Sequence, residues 1–147
     1  MQFFRVTFQT VGCLNELRSD DTDEFIRNEL ELDLWPTDDI VGGLGDGQFV
    51  VAKLADSLKA SGLSGFRLEP ITVVDGDQFW MQRDDHPGET LPDFFMLSAI
   101  GKAGLDDFGA SPNDGFLVIS QRALAFLKTF KTDYLFVENE YHAPVRQ

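Results

Sequence analysis

At 147 residues the chain can bury one core but not two, and a hydrophobic fraction of 43% with fourteen phenylalanines supplies enough apolar surface to offset chain entropy, which excludes intrinsic disorder. Twenty-five acids against twelve Lys and Arg give a net charge of −13, which repels phosphates and anionic headgroups, so no nucleic-acid or membrane-surface binding is expected and any charged partner should be basic. The lone Cys13 forms no intramolecular disulfide, no apolar run approaches the roughly 20 residues that cross a bilayer, and "MQFFRVTFQT" has no leader pattern, so a cytoplasmic chain is expected.

In chain order, "QFFRVTF" alternates Phe4, Val6 and Phe8 against Gln2, Arg5 and Thr7, which reads as a first strand with one face on the core. "NELELDLW" alternates Leu30, Leu32 and Leu34 against Glu29, Glu31 and Asp33 before Pro36, a strand pattern preceded by a helical turn at "TDEFIRN"; an edge position would let its carboxylates discourage edge-to-edge association. Four glycines (Gly42, Gly43, Gly45, Gly47) then lead into a helix predicted over about 48–60, with Val51, Leu54, Ala55 and Leu58 on one face, Asp46 at its start and Gly62 at its end.

"FRLEPITVV" reads as one strand, and Asp75-Gly76 before "DQFWMQ" predicts a hairpin. "DDHPGETLP" is a polar loop, "DFFMLSAI" a buried strand and "GKAGLDDFGASPNDG" a long loop. Last come "FLVIS" as a strand, Ser120 as helix N-cap, "QRALAFLKTF" as a helix burying Ala123, Phe126, Leu127 and Phe130, and "DYLFVE" as a strand. The expectation is a single α+β domain over 1–147, a mostly antiparallel sheet with two main helices packed against it. Within it lie an acidic part (1–47), core units (48–138) and a C-terminal tail (139–147).

Few residues offer chemistry. The glycine run lacks the Lys-Ser/Thr ending of a triphosphate loop and has Gln48 where a dinucleotide fingerprint needs glycine, so it reads as a loop. Ser64 in "GLSG" lacks nucleophile-elbow spacing and reads as a turn residue. Asp84, Asp85, His86 and Glu89 form the one cluster mixing carboxylates with imidazole, a conceivable metal or general-base site or simply a solvated loop. The acids after Arg18 lack the glycine of a calcium loop, and Cys13 has no cation pattern to activate it. Trp35 and Phe108 sit beside acids and turn residues; both are candidate exposed anchors, although packing is the first expectation for each.

The run "LKASGLSGFRLEPITVVDGDQFW", with "LPDFFML" and "GFLVISQRALAFLKTFKTDYLFVEN", resembles the immunity-protein families of bacterial polymorphic toxin systems over residues 48–138. The likeness is to a domain-of-unknown-function group whose members end in a strand, Ser-capped helix, strand unit. With Cys13 alone the chain would fall among members lacking paired Cys-x-x-Cys-Gly motifs. The resemblance implies a non-catalytic cytoplasmic antitoxin without cofactor or metal, which binds and neutralises a cognate toxin.

Residue types add where such binding would occur. Residues 1–47 hold eleven acids and three bases, and the segment from Arg18 to Asp33 alone carries seven carboxylates against two arginines. Asp20, Asp21, Asp23, Glu24, Glu29, Glu31 and Asp33, with Trp35 as anchor, are the expected contacts for a basic toxin surface, and the same acids would serve a solubilising face equally well. The alternatives are a small metal-dependent enzyme using Asp84, Asp85 and His86, or a scaffold or adaptor module.

Overall fold

The computed structural model describes residues 1–44 and 47–143. Its twelve strands, counted among the described residues, are β1 (Phe3–Thr7), β2 (Thr10–Arg18), β3 (Phe25–Leu32), β4 (Ile40–Leu44), β5 (Gln48–Val51), β6 (Phe66–Pro70), β7 (Thr72–Asp75), β8 (Phe94–Ala99), β9 (Gly101–Lys102), β10 (Phe108–Ala110), β11 (Leu117–Ser120) and β12 (Phe136–Glu140). Three helices accompany them, α1 (Ala52–Ala60), α2 (Phe79–Asp85) and α3 (Gln121–Leu127), one more than the two main helices expected. The strands form a five-stranded sheet in the order β12-β1-β11-β10-β9 and a seven-stranded sheet in the order β6-β8-β5-β4-β2-β3-β7. Antiparallel pairing predominates; β9–β10, β2–β4 and β3–β7 are the parallel pairs among the described residues. The mostly antiparallel α+β expectation therefore holds.

The first strand alternates as its sequence predicts. Val6, with Phe4 and Phe8, faces the main core, while Phe3 turns the other way onto Ala103 and Val118, where Tyr141 covers it. Because β1 pairs with both β11 and β12, the acidic N-terminal part is joined to the C-terminal strands in one sheet, and the first two residues of the expected tail lie within β12. Residues 139 and 140 belong to β12, and the Tyr141 N–H donates to the Phe3 carbonyl at 2.8 Å.

Pro70 cannot donate to a ladder, and it marks the point where "FRLEPITVV" divides into two strands. β6 runs beside β8 and β7 beside β3, at opposite margins of the seven-stranded sheet, yet only Ile71 separates them in sequence. Two Cα–Cα steps span at most about 8 Å, so the margins meet at this corner and the sheet curls back on itself.

The expected hairpin at Asp75-Gly76 is absent: the segment after it is α2. Gly76 serves close approach instead of a turn. Its N–H donates to the Leu32 carbonyl at 2.8 Å, and a Cβ there would lie 2.6 Å from Asp33 Oδ1. At seven residues α2 is too short to persist alone, and Phe79, fully buried, holds it to the core.

The predicted helix over 48–60 begins only at Ala52, because residues 48–51 are used as β5 between β4 and β8. Its anticipated face is correct, with Val51, Leu54, Ala55 and Leu58 all buried. Val51 is the N-cap and offers no side-chain hydrogen bond; Asp46, the expected cap, lies outside the described residues. Gly62 follows the C-cap Ser61 with φ +75°, the left-handed conformation expected of it. At the other end of the chain Ser120 caps α3 as predicted, accepting from the Ala123 N–H at 3.1 Å. The long loop proves to contain β9 and β10, and the last strand begins three residues later than "DYLFVE" suggests.

Candidate functional site

The acidic run from Arg18 onward does not form one surface. β2 and β3 pair antiparallel from Gly12↔Leu32 to Arg18↔Phe25, making a hairpin that places Asp20, Asp21, Asp23 and Glu24 at its tip, all exposed. The helical turn expected there is replaced by a reverse turn: the Ser19 N–H donates to the Glu24 carbonyl at 2.8 Å and the Asp23 N–H to the Ser19 carbonyl at 2.9 Å. Asp23 has φ +56°, a conformation that Asp tolerates better than most residues. Arg18 braces the root of the turn through the Asp23 carbonyl at 3.1 Å and Glu16 at 2.7 Å.

Phe25 and Ile26 follow the tip directly, and both are about half exposed, at 53% and 51%. The hairpin thus presents four carboxylates beside two large apolar side chains, a combination suited to a partner that is basic with an apolar centre. The sequence reading overlooked these two residues. The available signal was the polar cluster "SDDTD" between two runs able to pair, which marks a hairpin turn.

Glu29, Glu31 and Asp33 lie apart from the tip. β3 is an interior strand between β2 and β7, contrary to the edge position considered for it. Glu29 and Glu31 are half-buried on the face opposite Leu30 and Leu32, and Glu29 pairs with Arg27 at 3.1 Å. The strand ends at Leu32, because the Asp33 and Leu34 N–H groups both turn to the Val11 carbonyl; Leu34 is therefore exposed.

Trp35 is half-buried and already engaged. Its ring stacks on His86 with centroids 4.5 Å apart and on Phe79 at 6.0 Å, and its backbone N–H donates to Gln82 Oε1 at 2.8 Å. His86 in turn contacts Glu89 through Nδ1 at 2.5 Å, while Asp84 and Asp85 are exposed in the last turn of α2. The mixed cluster is thus divided between a ring stack and a solvated helix end, and among the described residues no three His, Cys, Asp or Glu side chains gather closely enough to hold a metal ion. Phe108, the other candidate anchor, is fully buried.

The most heavily bonded acid is one that sequence reasoning passed over. Asp107 is buried and accepts from Ser120 Oγ at 2.6 Å, Arg122 Nε at 2.7 Å and the Ser64 N–H at 2.9 Å. The Arg122 guanidinium holds its carboxyl well below the usual carboxylate range, against the opposing effect of burial, and Ser120 and Ser64 add to that pull. Ser64 is indeed a turn residue, and its work is to tie the α1–β6 turn to the start of β10. With every oxygen of Asp107 engaged, this node fixes the fold and leaves no acceptor for a ligand.

No helix among the described residues is long and apolar enough to cross a membrane. Compared with known proteins, the chain matches no family model, no curated protein and no solved structure.

Proposed function

We propose that the chain is a non-catalytic immunity protein that binds a basic protein toxin and occludes its working surface, using the tip of the β2–β3 hairpin. One observation supports this reading above the others: Asp20, Asp21, Asp23 and Glu24 project together on a braced turn beside the exposed Phe25 and Ile26. Carboxylates steer a basic partner and speed its arrival, whereas apolar anchors slow its departure. Glu29, Glu31, Asp33 and Trp35, tied into the sheet and the ring stack, support the hairpin more than they display it.

The test is co-expression with the product of the adjacent gene, followed by pull-down and growth rescue. Replacing Asp20, Asp21, Asp23 and Glu24 together by lysine should leave the fold intact and slow association with the toxin by about tenfold or more at low salt. Unchanged association kinetics would exclude this face, and absence of any rescue by the unmodified chain would exclude the function.

A further inference from the structure

β3 is paired along its length on one side and over only half of it on the other. β7 runs parallel to β3 and meets it from Glu29↔Thr72 to Leu32↔Asp75. Upstream of Thr72 the chain has left this margin to pair with β8, from Phe66↔Ala99 to Pro70↔Phe95. Residues 25–28 therefore have β2 on one flank and, among the described residues, no strand on the other. The Leu32 carbonyl accepts from the Gly76 N–H, so the even-numbered residues here aim their main-chain groups at the β7 side. By that alternation the Asn28 N–H points into the gap without a ladder partner, since the register stops at Glu29↔Thr72.

The gap is open. A cavity of about 310 Å³ lies there, lined by Phe25, Ile26 and Asn28 of β3, by Pro70 and Ile71 at the corner, and by Met96 of β8. Other margins are blunted: β9 has two residues, and β12 carries Glu138 and Glu140, with Asn139 Nδ2 donating to the Glu140 carbonyl at 2.8 Å. The margin at 25–28 instead carries the half-exposed Phe25 and Ile26, which favour pairing. The neighbouring charges select the partner. Asp20, Asp21, Asp23 and Glu24 directly precede this margin, whereas both arginines of the hairpin are taken, Arg18 by Glu16 at 2.7 Å and Arg27 by Glu29 at 3.1 Å. A second copy of the chain would bring its own carboxylates to the same place, and like charges oppose such pairing. A basic segment is complementary.

We propose that an extended segment of a partner protein, with lysine or arginine on alternate residues, adds as a strand to the free margin of β3. Main-chain hydrogen bonds at Asn28 supply the pairing, an apolar side chain of the segment enters the cavity against Ile71 and Met96, and a cation at its end meets Asp23 and Glu24. That the segment belongs to a toxin rests on the function proposed above; the strand addition does not.

The isolated chain tests this directly, with acetyl-Lys-Ile-Lys-Val-Lys-amide titrated into labelled protein and backbone amide resonances followed. The amides of Ile26 and Asn28 should shift saturably, with a dissociation constant of about millimolar as befits a short peptide, and exchange of the Asn28 N–H should slow about tenfold at saturation. Two further peptides keep every side chain and charge but carry backbone N-methyl groups, one at the apolar residues and the other at the lysines. The one whose methyl groups face β3 should lose about tenfold in affinity while its counterpart binds like the parent. Ile26→Lys, at a half-exposed position, should weaken binding of the parent peptide about tenfold. Methylated peptides that bind alike, whether well or badly, would overturn strand addition, and so would the absence of a saturable shift at these amides or undiminished binding by Ile26→Lys. A dimer of the isolated chain that Ile26→Lys dissolves would assign the margin to a second copy and overturn the proposal as well. Should Ile26→Lys fail to fold, the methylated pair decides alone. A chain that ignores the peptides yet still rescues growth refutes the strand addition and spares the function; the converse refutes the function and spares the strand addition.

Discussion

Asp107 joins three stretches of chain that are distant in sequence: the turn before β6, the start of β10 and the first turn of α3. Its lowered proton affinity has a signed consequence. A carboxyl depressed in the folded state stabilises that state fully above its unfolded value of about 3.9, and the contribution fades as pH falls below that value toward the folded one. Replacing Asp107 by Asn should therefore cost about 1.5–3 kcal/mol at pH 7 and flatten the acid limb of the stability profile below about pH 4, read by denaturant titration at several pH values. If the variant matches the wild type at pH 7, Asp107 is not the clamp described. Ser120 was legible because a serine before a 3.6-residue apolar period is a local signal. Asp107 was not, since nothing local in "GLDDF" says which of two adjacent acids turns inward; that is settled by Ser64 and Arg122, far along the chain.

The elements that sequence made plain are those whose period is undisturbed: β8, β11, α3 and the buried face of α1. β2 escaped notice because its pairing slips near both ends, between Thr10 and Cys13 against β4 and between Leu17 and Arg18 against β3, so its side chains do not alternate cleanly. β4 is spelled with two glycines and reads as loop, and β5 merges with the helix it leads into. The Asp75-Gly76 signal misled for a physical reason: glycine was needed there for want of a Cβ, not for freedom of φ. Gly12 makes the same demand at the root of the acidic hairpin. It lies opposite Leu32, and a Cβ there would collide with the Glu31 carbonyl oxygen. Gly12→Ala should destabilise the protein by about 2 kcal/mol or more by forcing β2 and β3 apart, measurable as a lower denaturant midpoint. A change under about 0.5 kcal/mol would mean that the hairpin yields freely, contrary to a rigid mounting for the tip.

Taken whole, the molecule is an anion of net charge −13 that displays four exposed acids at the hairpin tip. The hairpin tip is open to solvent, where a field is screened within about 10 Å at 0.1 M salt. Under the proposed function, raising salt should slow association with the basic partner several-fold while changing dissociation little, because Phe25 and Ile26 carry no charge to screen. Stopped-flow rates at two ionic strengths check this, and a salt-insensitive association rate would remove the hairpin's steering role. The place of β1 bears on how the molecule is made. Both neighbours of this strand, β11 and β12, are translated more than a hundred residues after it, so at 5–20 residues per second Phe3 and Val6 wait about 6–26 s on the ribosome for the partners that cover them. Nascent chains stalled before Leu117 should therefore be substrates for chaperones and proteases, making synthesis of the folded chain nearly all-or-none.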